Sequence, residues 1–167
     1  MNPKDYYRTY EADDKISGLG MTLLSHILQL RPIHAFEFGM GSGKHLRALV
    51  NGGVVGCGID ISKINVAKSI FTWNLYNVSV GDETYLRHHC NYDVVFTVSV
   101  LDHIEDIDGI IREFKRMANK AIFLAETNDV PGPYYFPHRY EKYGFKDVGY
   151  EWEGEDKAIY KIWKLLK

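Results

Sequence analysis

The sequence predicts an α/β fold organised around a mostly parallel sheet, and three stretches carry that expectation. The first runs from His34 to Val50, HAFEFGMGSGKHLRALV. Its apolar segment, Ala35 to Phe38, leads straight into glycines at alternate positions (Gly39, Gly41, Gly43), and a helical pattern with apolar Leu46, Leu49 and Val50 follows. The second, Val54 to Ile59, reads as a short buried strand closed by Asp60 and followed by a helical segment from Ser62 to Asn74. The third, Tyr92 to Val98, is a nearly continuous β-branched run of the kind that a parallel strand buried on both faces requires. Strand, tight glycine turn and helix form the opening unit of a nucleotide-binding sheet, with the ligand over the strand's carboxyl end.

The other elements follow from periodicity and punctuation. Ile16 to Leu30 is helical, with Leu23, Leu24, Ile27, Leu28 and Leu30 on an apolar face and Arg31-Pro32 as the stop. Asn77 to Val80 is a brief strand ending in Gly81-Asp82. Glu105 to Asn119 repeats Ile107, Ile110, Ile111, Phe114 and Met117 at helical spacing, and Ala121 to Ala125 is a fifth strand closed by Glu126-Thr127. A loop containing Pro131-Gly132-Pro133 precedes Tyr134 to Tyr143, which holds a short helix, and then Gly144-Phe145. Lys146 to Trp152 and Ala158 to Leu165 read as two strands joined by the polar turn Glu153 to Asp156; the alternation from Lys157 to Lys167 is that of an edge strand.

Composition narrows the function class. A chain of 167 residues supports one domain, and 46% hydrophobic residues with a net charge of −2 are ordinary for a globular protein. Lys and Arg are scattered, without the basic stripe of a dedicated nucleic-acid binder. No apolar run approaches the roughly 20 residues that span a bilayer, and the N-terminus does not lead into a signal-peptide apolar region. Cys57 and Cys90 show no metal-ligand spacing, nor do the seven dispersed histidines. No metal and no disulfide are expected, and a reducing cytoplasm is the simplest location.

Spacing decides what the glycine turn binds. A dinucleotide fingerprint needs glycine at position 44, where Lys44 stands. A phosphate-binding P-loop that uses Gly43-Lys44 needs its first glycine at Phe38 and a hydroxyl at His45. What remains is acid-x-G-x-G-x-G: Glu37, Gly39, Gly41, Gly43. With this motif the chain resembles the class I (Rossmann-like) S-adenosylmethionine-dependent methyltransferases. The likeness extends over residues 16–167 and includes Asp60, the pattern G-D-x-x-x-L at Gly81-Asp82 to Leu86, and the strand Tyr92-Asp93 followed by Val100-Leu101-Asp102-His103-Ile104.

The resemblance implies a three-layer α/β/α sandwich whose mostly parallel seven-stranded sheet has the order 3-2-1-4-5-7-6, with the last strand antiparallel. It implies S-adenosylmethionine as cofactor, held by Glu37, Gly39, Gly41, Gly43, Asp60, Ile61, Asp82, Glu83, Val98 and Ser99. An acid ending the second strand, about 20 residues beyond a glycine turn, is also where a ribose diol is bound by a carboxylate; Asp60, or Ser62 in its place, additionally suits a helix N-cap. His103 would border the transferred methyl. The proline-rich tetrapeptide of nucleobase amine methylases is absent, since Ser99-Val100-Leu101-Asp102 stands there.

No substrate domain is inserted. The methyl acceptor therefore meets an N-terminal arm and lid (residues 1–15), the end of the fourth strand, and a loop over residues 127–143. Tyr7, Tyr134, Tyr135 and Arg139 are the candidates for binding it, and His103 and His138 for deprotonating it. The expected function is methyl transfer to an O or N atom of a small-to-medium acceptor. A protein or nucleic-acid acceptor stays open, because a mouth without an insertion admits large substrates. The alternative is a catalytically inactive S-adenosylmethionine-binding partner or regulator.

Overall fold

The computed structural model describes residues 3–127, 135–154 and 157–167. Seven strands form a single sheet: β1 (His34–Phe38), β2 (Val55–Asp60), β3 (Val78–Val80), β4 (Tyr92–Val98), β5 (Ala118–Thr127), β6 (Lys146–Glu153) and β7 (Ile159–Leu166). Their order is 3-2-1-4-5-7-6, parallel from β3 through β5 and antiparallel where β7 meets β5 and β6. The expected topology is the observed one. The edge reading of the last strand is corrected: β7 is interior, hydrogen-bonded on both sides, and β6 and β3 are the edges.

Helices α2 (Gly18–Gln29), α3 (Lys44–Asn51) and α4 (Lys63–Trp73) cover one face, and α5 (Asp108–Met117) with two 3₁₀ turns, Glu83–His88 and Tyr140–Tyr143, covers the other. The helix α2 begins at Gly18 because the Ser17 hydroxyl accepts from the Gly20 amide at 3.2 Å, which caps the first turn. It buries Leu19, Leu23, Leu24 and Ile27 against the sheet, each worth about 1.5–3 kcal/mol relative to exposure. Ser62 caps α4 in the same manner. On the opposite face Ile110, Ile111, Phe114 and Met117 of α5 pack on Phe36, Val95 and Ile122.

Two boundaries differ from expectation. The helix α5 starts at Asp108 rather than Glu105, after a turn in which Asp106 Oδ1 accepts from the Asp108 amide at 3.0 Å. It gives way to β5 at Ala118 with no intervening loop, because Ala118 already pairs with Tyr92 of β4. Among the aromatics expected on the acceptor loop, Tyr140 is a fully buried core residue. The Pro131-Gly132-Pro133 loop, Tyr134, and Glu155 and Asp156 of the expected turn lie outside the described residues.

Candidate functional site

A cavity of about 960 Å³ opens over the carboxyl ends of β1, β2 and β4, where the strand order reverses and parallel sheets bind ligands. The loop after β1 forms its floor. Gly39, Gly41 and Gly43 adopt φ of +68°, +54° and +79°, a region cheap only for glycine. A Cβ at any of these positions would meet the protein itself. A Cβ at Gly39 would lie 2.4 Å from Val100 Cγ2, one at Gly43 2.7 Å from Leu75 Cδ1, and one at Gly41 3.0 Å from Ala12 Cβ. The glycines are required first by the packing of the protein itself.

The loop amides are also spoken for. Gly39 and Met40 donate to Ile59 O at 2.9 and 3.1 Å, Gly41 donates to Asp60 Oδ2 at 2.7 Å, and Gly43 donates to Met40 O at 3.0 Å. A phosphate cradle needs such amides aimed at the ligand. This loop offers shape instead of donors, which suits a nucleoside without phosphate.

Three acids face the cavity from successive strand ends. Glu37 of β1 is 1% exposed. Its Oε1 lies 2.8 Å from His45 Nδ1 on α3, while its Oε2 has no hydrogen-bond partner. Burial raises the Glu37 carboxyl above its usual value, and the His45 ring opposes that rise. A buried carboxylate oxygen without a partner is costly unless a donor reaches it; an α-ammonium group is such a donor. Asp60, at the end of β2, accepts from Gly41 N, from Ser62 N at 2.8 Å and from Asn65 Nδ2 at 3.4 Å. It thus ties the glycine loop to α4 while bordering the cavity, and burial pushes its carboxyl up despite those bonds. Asp82 lines the cavity and caps the turn Glu83–His88, its Oδ1 accepting from the Thr84 amide at 3.0 Å and hydroxyl at 2.7 Å. Glu83 is ion-paired with Lys4 of the arm.

The arm crosses the mouth. Its short helix α1 (Pro3–Tyr7) and residues 8–17 are fastened at several points: Ala12 N donates to Asn65 Oδ1 at 2.9 Å, and the Ser42 and Ser62 hydroxyls donate to Asp13 O and Tyr10 O, each at 3.0 Å. Lys44 pairs with Asp13, and Lys68 with Glu11 and Asp14. At the end of β4, Val98, Ser99 and His103 line the cavity, and so does Ile61 after β2. The His103 ring lies between Tyr7 and Tyr135, its centroid 4.7 Å from each. Burial raises the Tyr7 phenol above its ordinary range.

Not every expected residue reaches the site. His138 is away from the lining: its Nε2 sits 2.9 Å from Leu101 O and 2.8 Å from Ile104 O, so it braces the turn after β4, and the base assignment is withdrawn for it. Arg139 is exposed and leads into the turn Tyr140–Tyr143, off the cavity. Conversely, His45, Lys44, Trp152 and Tyr160 line the cavity without having been singled out. The alternating pattern of β6 and β7 gave no sign that Trp152 and Tyr160 border the cavity. His45, eight residues after an acid across a glycine turn, was a readable signal.

Residues 36–124 match the model of a family described as "Methyltransferase domain", which takes in more than half of the chain. The chain belongs to that methyltransferase domain family. Over 113 residues this methyltransferase domain is 28% identical to a ubiquinone biosynthesis O-methyltransferase from Pelagibacter ubique, a match that includes 64% of the chain and 47% of that protein. It thus spans about half the length of that relative. Among solved structures, magnesium protoporphyrin IX methyltransferase from Synechocystis with bound S-adenosylmethionine superposes with a TM-score of 0.72 at 16% identity, covering 100% of this chain and 98% of that one. The N-methyltransferase NodS from Bradyrhizobium japonicum, in complex with S-adenosyl-L-homocysteine, gives 0.73 at 13% identity and covers 100% and 99%. At these identities the likeness is one of fold.

Proposed function

We propose that this methyltransferase domain transfers a methyl group from S-adenosylmethionine to an oxygen or nitrogen atom of a small-to-medium acceptor. The observation that carries the reading is Glu37: a buried carboxylate with one unpartnered oxygen, set in a cavity whose loop amides at Gly39, Met40, Gly41 and Gly43 are internally engaged. Glu37 suits the α-ammonium of the methionine portion, Asp60 the ribose hydroxyls, and Asp82 the adenine amine, with Ile61, Val98 and Ser99 as walls. When bound, the cofactor supplies an electrophilic methyl on a sulfonium, which leaves without needing a proton. The chain contributes position and exclusion of water: residues 1–15 act as the lid, residues 127–143 as the acceptor loop, Tyr7 and Tyr135 as binding surfaces, and His103 as the base. The name of the Pelagibacter relative favours oxygen as the acceptor atom. No helix among the described residues is long and apolar enough to cross a membrane; two free cysteines agree with a reducing cytoplasm.

Calorimetric titration with S-adenosylhomocysteine and NAD in parallel tests the cofactor. Saturable binding of the first alone is expected, and a preference for NAD overturns the reading. Turnover is then sought across phenols, carboxylic acids and amines. Tight cofactor binding without transfer to any of them returns the protein to the class of inactive binding partners.

A further inference from the structure

Two carboxyl groups lie behind His103, outside the cavity lining. Asp102, in the turn Leu101–His103 that follows β4, is 1% exposed, and Glu126, near the end of β5, is fully buried. Glu126 Oε2 accepts from the amides of Val100 at 3.0 Å and Leu101 at 3.2 Å. The two side chains lie against one another. Glu126 Oε1 and both Asp102 oxygens have no well-aligned hydrogen-bond donor among the described residues; the Asp102 amide lies near both carboxyls, and His103 Nε2 approaches Asp102 Oδ1 at 3.5 Å.

The groups around the pair supply little compensating charge. Tyr140 brings a buried hydroxyl, and Tyr7, His103 and His138 face Asp102. Lys161 is the cross-strand neighbour of Glu126 on β7, but its ammonium is held by Asp147 at 3.3 Å and Glu151 at 2.7 Å. Two full negative charges side by side in a dry site are untenable, and paired carboxylates hold one proton between them.

We propose that Glu126 holds this proton and donates it to Asp102, leaving a single negative charge on Asp102 behind the His103 ring. Bonding decides which acid is neutral. As a neutral acid Glu126 is fully satisfied, with Oε2 as the carbonyl that accepts two amides and Oε1 as the hydroxyl that donates. Asp102 is the acid with an imidazole beside it. Burial and the charge on Asp102 both push the Glu126 carboxyl well above the usual range, whereas the rise that burial gives Asp102 is opposed by the His103 ring.

The role of the pair rests on the methyl-transfer reading. In such a transfer the methyl–sulfur bond would give way to the methyl–acceptor bond, the acceptor's O–H or N–H bond would break, and its proton would pass to His103. The positive charge lost from the sulfonium thus ends on an imidazolium, which Asp102 balances and orients. Asp102 and Glu126 are positioning residues.

Thermal unfolding from pH 4.5 to 8 tests the proton without any activity measurement. The native protein keeps a proton that its unfolded chain releases, so wild type loses stability relative to Glu126→Gln as pH rises. The expected divergence is up to tenfold in the folding equilibrium per pH unit. Parallel curves overturn the proposal. Should that variant fail to fold, the wild-type infrared spectrum at pH 7 decides: a protonated-carboxyl band that survives Glu37→Gln supports the assignment, and its absence overturns it. In turnover, Glu126→Ala is expected to lower kcat more than tenfold and Glu126→Gln to restore most of it. A chain that transfers no methyl group leaves the unfolding and infrared readouts intact, so failure of the function and failure of the shared proton are separate results.

Discussion

Replacing one hydrogen of Gly39 by a methyl group is expected to be the most damaging small change in the loop. The backbone there has φ +68°, and an added Cβ would lie 2.4 Å from Val100 Cγ2, 2.9 Å from Cγ1 and 3.2 Å from Cβ. Left-handed backbone costs a residue with a side chain about 1–2 kcal/mol, and overpacking adds about 1–3 kcal/mol. Gly39→Ala should therefore lose about 2–5 kcal/mol, which for a domain of this size is roughly 4–20 °C in Tm. Calorimetric melts of Gly39→Ala, Val100→Ala and the double variant separate the two contributions. Val100→Ala removes both γ-carbons, so the double variant should recover the overpacking share and keep the backbone strain, giving a coupling of about 1–3 kcal/mol. An unchanged Tm for Gly39→Ala, or a double variant whose loss is the simple sum, refutes the packing argument.

Three further outcomes are expected. Glu37→Gln should weaken S-adenosylhomocysteine binding about 10- to 100-fold, the worth of a charged hydrogen bond; calorimetry showing an unchanged Kd would remove Glu37 from the site. Asp93 gives the acid side of the stability curve. Partial burial pushes its carboxyl up, but the amides of Ile33 and His34 and the Lys120 ammonium outweigh that and hold it below the ordinary value. A depressed acid contributes stability that is present above its unfolded value, near pH 4, and is lost as pH falls through its folded value. Asp93→Asn should therefore flatten the fall in denaturant midpoint between pH 5 and 2, and an equally steep fall would count against the assignment. Lys68→Ala removes two ion pairs to the arm, each worth about 0.2–1 kcal/mol; limited proteolysis within residues 3–17 should accelerate about 2- to 30-fold, and salt should speed the wild type likewise. Equal cleavage rates would show that these pairs do not fasten the arm.

Local patterns carried most of the sheet into view. The β-branched run Tyr92–Val98 coincides with β4, because a strand buried on both faces has no other composition open to it. The α5–β5 junction was hidden because it depends on Ala118 pairing with Tyr92, a contact between distant segments. The site divides in the same way. Glu37 and Asp60 stand at strand ends, where the motif itself places them over the cavity. Trp152 and Tyr160, paired across β6 and β7, reach it through tertiary placement, and nothing in their alternating stretch marks that end as a wall. His138 looked catalytic by residue type alone; its two carbonyl contacts come from the turn after β4, some thirty-five residues earlier in the chain.

The imidazole of His103 owes its place to rings from two separate excursions of the chain, Tyr7 from the arm and Tyr135 from the segment before the turn Tyr140–Tyr143. Displacing the arm would take the Tyr7 ring away from His103 and leave it with Tyr135 alone of the pair. Under the proposed function, opening the arm to admit the methyl donor and loosening the His103 base would be a single mechanical event.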